Sequence, residues 1–252
     1  MKRDERHHLK ENELAASLAA ARERLEGRQR EILYGASAVL AIGGMIIGYT
    51  LYRNRVENSA ATMLADAVAI TEAPVAPPPL APGESPTPAK PGGPAPPGSY
   101  ANEQAKLEAA LTQLQATASA YPRTNAGIAA KYHAAATLAQ LGRTAEAVQT
   151  YQEVVNQAGS SIYAKTAELG LADVQVRAGQ YDAAVAIYRK LAAQTDSDLP
   201  TDAVLMHLAR ALARQGNAAE AEKTFSRVLD EFPQSAFAAD ARKERDAIKP
   251  KA

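Results

Sequence analysis

The sequence predicts an all-α chain: a single membrane-spanning helix near the N-terminus, a proline-rich linker, and a C-terminal α-solenoid. The solenoid is expected to hold about three helix–turn–helix repeats with a half-repeat at each end. Three observations lead there. Ile32 to Tyr52 (ILYGASAVLAIGGMIIGYTLY) contains no Asp, Glu, Lys, Arg, His or Pro. The composition is 46% hydrophobic with only three Phe and no Trp, so small side chains dominate, which suits closely packed helices better than a sheet core. A Gly–Ala–aromatic triplet also recurs at a fixed period through the C-terminal half.

Residues 1–31 read as a charged tail that becomes helical. Leu14, Leu18, Ala21, Leu25, Arg28 and Ile32 form one seam at alternating steps of four and three, with a polar fault at Arg28. That spacing suits either a short coiled coil pairing two copies or one amphipathic helix leading into the span. His7 and His8 are read as ordinary polar residues of the tail.

At ~1.5 Å per residue the stretch 32–52 makes a helix of roughly 31 Å, the thickness of a bilayer core. Arg30 and Glu31 close it on one side, Arg53 and Arg55 on the other, and Tyr34, Tyr49 and Tyr52 stand near its ends, where interfacial aromatics belong. The run is longer than the apolar core of a cleaved signal and begins too far into the chain to be one. Arg22, Arg24, Arg28 and Arg30 precede it and only Arg53 and Arg55 follow closely, so the N-terminus is expected to be cytoplasmic and the large C-terminal part exported. Gly44 and Gly48 form a GxxxG pair, a spacing that lets helix backbones approach in lipid, from a second copy or from another protein.

Residues 53–72 are expected to extend this helix, with Val56, Ala60, Met63, Ala67 and Ile70 on one face. The composition then breaks. Pro74 to Gly98 holds eleven of the fifteen prolines, and proline biases a chain towards extended polyproline II. The segment 73–100 is read as a semi-rigid spacer able to reach on the order of 75 Å; its PxxP patterns also match ligands of SH3-like or WW-like grooves.

From Asn102 the period is 37. Gly142, Gly179 and Gly216 keep it, as do Ala147, Ala184 and Ala221, and Tyr151, Tyr188 and Phe225. Each string is a helix end, a glycine turn, and a second helix with Ala and then an aromatic four residues later. Glycine takes the turn, alanine permits close contact, and the aromatic fills the core between units. Tyr121-Pro122 and Phe232-Pro233 stand three periods apart, which makes 102–120 a leading second helix and 235–248 a trailing first helix with the polar face of a cap. The solenoid domain is set at 101–250.

The G-x4-A-x3-[YF] pattern, three times over and followed by Pro233, resembles the tetratricopeptide repeat family across roughly 102–248. A period of 37 where that family has ~34 implies longer inter-repeat loops, at 158–161 and 195–200. Such solenoids bind a partner along the face lined by the first helix of each repeat. The resemblance places exposed groove positions at Tyr132, Leu169, Asp173, Arg177, Met206, Arg210 and Arg214, where the arginines can pair a partner's carboxylates. The layout of cytoplasmic tail, one span and exported repeat domain is similar to bitopic bacterial proteins like the ancillary subunit of the Sec translocon. That similarity implies an inner-membrane protein whose partners are translocon subunits, periplasmic chaperones or exported clients.

The net charge of zero provides no general attraction for nucleic acid. The absence of cysteine excludes disulfides, thiolate metal sites and a cysteine nucleophile. No phosphate-binding glycine loop, HExxH or GxSxG is present. His133 and His207 occupy equivalent repeat positions but lack a third ligand, and Asp196-Ser197-Asp198 reads as a solvated turn. No catalytic, cofactor or metal site is therefore assigned. The expected function is a non-catalytic protein-interaction module serving exported proteins or their chaperones. The alternative is an envelope adaptor for cell-wall synthesis, division or secretion that uses the proline-rich segment as reach.

Overall fold

The computed structural model describes residues 29–76, 98–159, 161–194 and 198–248. The expected tail helix, His7 and His8, most of the proline-rich segment, and Asp196 with Ser197 lie outside the described residues. The chain divides into two units, Met1–Arg55 and Val56–Ala252.

In the first unit the described residues are one helix, the N-terminal part of α1 (Gln29–Glu72). Its apolar side chains are uncovered all round: Leu33, Leu40, Ile42, Met45, Ile47 and Leu51 are all more than half exposed. It is the one helix among the described residues long and apolar enough to cross a membrane. An added Cβ at Gly44 or Gly48 would meet no atom within 4 Å, so no described residue occupies their GxxxG face.

The second unit begins at Val56, well before the boundary expected at residue 101. It continues with α2 (Glu103–Ala120), α3 (Asn125–Gln140), α4 (Thr144–Ala158), α5 (Ile162–Arg177), α6 (Tyr181–Ala192), α7 (Thr201–Gln215), α8 (Ala218–Glu231) and α9 (Ala238–Ile248). Each helix from α2 onward packs on the next, and the first helices of the repeats, α3, α5 and α7, also meet side by side. This is a two-layer helical stack.

The in-phase triplets do what their chemistry predicts. Gly142, Gly179 and Gly216 have φ of +75°, +76° and +89°, a region that favours glycine. The following amides, of Arg143, Gln180 and Asn217, each donate to a carbonyl five residues back, at 2.9, 2.8 and 2.9 Å, closing three identical helix ends. Ala147, Ala184 and Ala221 are wholly buried, and Tyr151, Tyr188 and Phe225 are at most 4% exposed. Burying each aromatic contributes about 1.5–3 kcal/mol before the entropy of ordering it. A further triplet of the same period, Ala135, Ala172 and Ala209, is wholly buried on the first helices. In α2 the pattern continues with Ala110 and Leu114, both buried, leucine standing where the later repeats have an aromatic.

Residues 53–72 extend the apolar helix as expected, since α1 runs unbroken to Glu72. From Val56 on, that extension lies against α2 and α3. Ala60 and Ala67 are 0% exposed, and Ala67 and Leu64 join the core formed by Leu111, Leu114 and Ala134. The stripe at 56, 60, 63, 67 and 70 is thus the face that meets the solenoid. Glu57 spans the contact: its carboxylate accepts from the backbone amides of Asn125 at 3.1 Å and Ala126 at 2.9 Å, two of the four donors that a helix start leaves unpaired. Thr124 accepts from Gly127 at 2.9 Å and caps the same end. The leading half-repeat therefore has a first helix after all, supplied by residues 56–72.

The proline-rich segment changes meaning accordingly. Tyr100 donates to the Pro74 carbonyl at 3.0 Å and accepts from the Ala76 amide at 2.8 Å, making a parallel bridge between Val75 and Tyr100. The ends of the segment are pinned together, between the two helices of the first repeat. It is an insertion into a turn. It does not connect the apolar helix to the repeats, and the reach of a spacer is not available to it.

Candidate functional site

The side on which α3, α5 and α7 line up carries most of the predicted groove residues, in two patches. The first is aromatic. Tyr132 on α3 is half-buried and sits edge-on to Tyr151 (centroids 5.9 Å) and near Tyr163 (6.3 Å). Burial, reinforced by the charge of Asp173, pushes the Tyr132 hydroxyl above its ordinary range. Gly170 makes this patch possible. A Cβ there would lie 2.6 Å from the Tyr151 ring, closer than carbon atoms pack, so the position that holds His133 and His207 in the neighbouring repeats must be bare.

The second patch is a recess of about 240 Å³ between α5 and α7, into which Asp173, Arg177, Arg210 and Arg214 converge. Its floor is a polar group drawn from three helices. Asp173 accepts from the Tyr188 hydroxyl at 2.5 Å and from His207 Nδ1 at 2.9 Å. Burial alone would push the Asp173 carboxyl up, but those two hydrogen bonds and the nearby Arg177 guanidinium outweigh it and hold it below the usual range. Tyr188 moves the opposite way, pushed up by burial and by the adjacent carboxylate. Arg210 faces Glu244 of α9 in a two-pronged contact at 2.5 and 2.9 Å, with Asp240 at 3.9 Å.

Four of the seven predicted positions thus share one recess. Tyr132 belongs to the aromatic patch, and Leu169 packs half-buried against Leu191 and Val204. Met206 is a correction: it is 0% exposed and cannot serve as a groove residue. It has the same repeat phase as Tyr132 and Leu169, but its cluster includes Ala241 and the half-buried Phe237 at the capping end of the solenoid, so it is covered where they are not. Sequence reasoning missed His207 and Tyr188 as the floor and Glu244 as the group occupying Arg210. The signal was present as spacing, since both cross-helix pairs, Asp173–His207 and Arg210–Glu244, join residues 34 apart.

His133 lines a different recess, of about 270 Å³, with Val68, Glu103 and Gln140, and burial lowers its basicity. The two equivalent histidines therefore do not face one another. Among the described residues no three His, Cys, Asp or Glu side chains converge as metal ligands. The arrangement offers cationic donors, aromatic edges and a shallow recess, which are binding features.

Comparison with known proteins agrees with this repeat geometry. Two models of the tetratricopeptide repeat match, one over residues 129–161 and one over 169–236, and the chain carries tetratricopeptide repeats there. Such repeats are protein-interaction scaffolds, and no catalytic family accompanies them. Two solved structures are similar at 18% identity: the nearly identical TPR-like repeats of a Podosopora anserina protein described as a kinesin light chain, and a point variant of the same repeats. Their TM-scores are 0.47 and 0.48, and each alignment covers 57% of this chain and 83% of the other. No curated protein matches the sequence.

Proposed function

We propose that this chain is a membrane-anchored protein-binding module of the bacterial envelope that assists newly exported proteins, or their chaperones, near the Sec translocon. The observation that carries the binding part is the recess between α5 and α7, a shallow opening in a repeat scaffold lined by three arginines. An anchor is supported by the uncovered apolar stretch that ends at Tyr52, with only three residues between it and Val56, where the repeat unit opens. The translocon neighbourhood rests on similarity of layout: cytoplasmic tail, one span, exported repeats. An envelope adaptor is the competing reading. It needs the proline-rich segment as reach, and the pairing of Val75 with Tyr100 counts against it.

The test is photo-crosslinking of the full-length protein in membranes, with probes at Tyr132 in the aromatic patch and Val176 beside the recess. Adducts with translocon subunits, periplasmic chaperones or exported clients are expected. Adducts confined to cell-wall or division proteins would replace this reading with the adaptor. A protein released from the membrane fraction by an alkaline wash would remove the anchor.

A further inference from the structure

Leu138, Gln175 and Leu212 share one position on successive first helices, one period apart each time. The two leucines are at most 1% exposed. Gln175 brings an amide to the same place, and its Oε1 is buried with no hydrogen-bond partner. Among the described residues one other side-chain polar atom is in that condition, Ser161 Oγ, at the start of the same helix. Ser161 is the N-cap of α5, yet its side chain accepts nothing from the first turn. Asn102 and Thr124 do accept, from Ala105 at 2.8 Å and Gly127 at 2.9 Å, at the starts of α2 and α3. Both orphaned groups therefore fall on α5. A buried polar group without a partner is a cost that the folded state carries and that opening to water relieves.

The hydrophobic core also divides along α5. Ala167, Leu171 and Val174 belong to a cluster with Leu111, Leu114, Leu138 and Tyr151. Ala172 belongs to a second, with Tyr188, Leu212 and Phe225. Half-buried Ile187 on α6 touches both, and Leu169 joins α5 to a small third group of Leu191, Leu199 and Val204. Leu138 and Leu212 thus each enlarge the core at one end of the stack. At the position between them, the amide of Gln175 enlarges neither.

We infer that α5 is a joint built into the solenoid. The stack is two packed blocks, residues 56–72 with α2 to α4 on one side and α6 to α9 on the other, and Gln175 holds down the free energy at which they part. The stability of a repeat stack is a sum of units and of interfaces between neighbours, so a penalty placed at one interface localises opening there. α5 carries Tyr163 of the aromatic patch and Asp173 and Arg177 of the recess. One opening event therefore takes both patches apart.

The test is amide hydrogen exchange of the full-length protein in detergent micelles across a urea series. In the wild type, amides of α2 and α3 should converge on one opening free energy and those of α7 and α8 on another, with α5 exchanging faster than either group. Gln175→Met removes the amide while keeping the shape, and Gln175→Leu copies the sister helices. Each should slow exchange along α5 by roughly five- to 150-fold, the scale of one buried unsatisfied group relieved, and bring the two groups together. Ser161→Ala should leave the first amides of α5 within about twofold or slow them, whereas loss of a working N-cap, as in Thr124→Ala at α3, speeds opening about fivefold. A single opening free energy shared by α2, α3, α7 and α8 in the wild type would overturn the joint. So would α5 amides that exchange no faster than those of its neighbours. Exchange along α5 left within twofold of wild type in either Gln175 variant would overturn the assignment to that residue.

Discussion

Glu57 is the most economical place to test whether residues 56–72 belong to the solenoid. Its two carboxylate oxygens accept from the first amides of α3, at 3.1 and 2.9 Å, across 68 and 69 residues of sequence. Glu57→Ala leaves those donors to water at a half-buried helix start. Removing a cap of this kind costs about 1 kcal/mol, and withdrawing a negative charge from a helix N-terminus adds ~0.3–1. Thr124 keeps its own bond to Gly127, so the end is weakened and not abolished. The expected total is about 1–2 kcal/mol. Solenoids open locally and are not reliably two-state, so the assay should be local: amide hydrogen exchange at Asn125 and Ala126 in the full-length protein. A change of ~1.4 kcal/mol corresponds to tenfold in an opening equilibrium, which predicts exchange roughly five- to thirtyfold faster in Glu57→Ala. Glu57→Gln, which retains one acceptor oxygen, should fall between. If both amides exchange as in the wild type while Thr124→Ala accelerates them, α3 is capped by Thr124 alone and the reasoning fails.

Three further outcomes follow from the same geometry. Replacing residues 77–97 by a four-residue turn should preserve the fold and raise its stability by about 1 kcal/mol, because more than two halvings of loop length reduce the closure entropy and Val75 already meets Tyr100; a fall in thermal midpoint would contradict the insertion reading. Gly170→Ala should destabilise by about 1–3 kcal/mol, since its Cβ would meet the Tyr151 ring at 2.6 Å, and thermal unfolding at neutral pH measures it. The Asp173 carboxyl is held below its ordinary value of 3.8, so the stability it contributes is present above that value and lost as pH falls through the depressed one; between about pH 5 and 2, wild type should lose more of its midpoint than Asp173→Asn, and parallel losses would discount a stabilising role for the bonds of Asp173 to Tyr188 and His207.

The repeat was legible because its determinants are local and recur. A glycine with positive φ, a wholly buried alanine five residues on and an aromatic one turn later each act within one helical hairpin, and three copies in phase separate the signal from chance. Helix faces were legible for the same reason: Val56, Ala60, Met63, Ala67 and Ile70 mark a face by spacing alone. What that face meets was not legible, because Glu57 and the α3 amides it caps lie in remote parts of the chain and pattern carries no information at that separation. The prolines predicted a stiff segment, but stiffness does not say where the ends are. Two hydrogen bonds at Tyr100 bring them together and turn a spacer into an insertion.

Phase was likewise read correctly, and its consequences only in part. Tyr132, Leu169 and Met206 share a position, yet the capping end of the stack buries the last of them. Arg210 and Arg214 sit one turn apart on one helix, yet Glu244 engages the first, while the second is exposed. From sequence came the helices, their turns, the repeat and which residues share a phase, because those follow from interactions within one or two turns. Tertiary structure alone decided which of those residues stay open and which charges are already matched, because cover and pairing depend on the neighbouring helix.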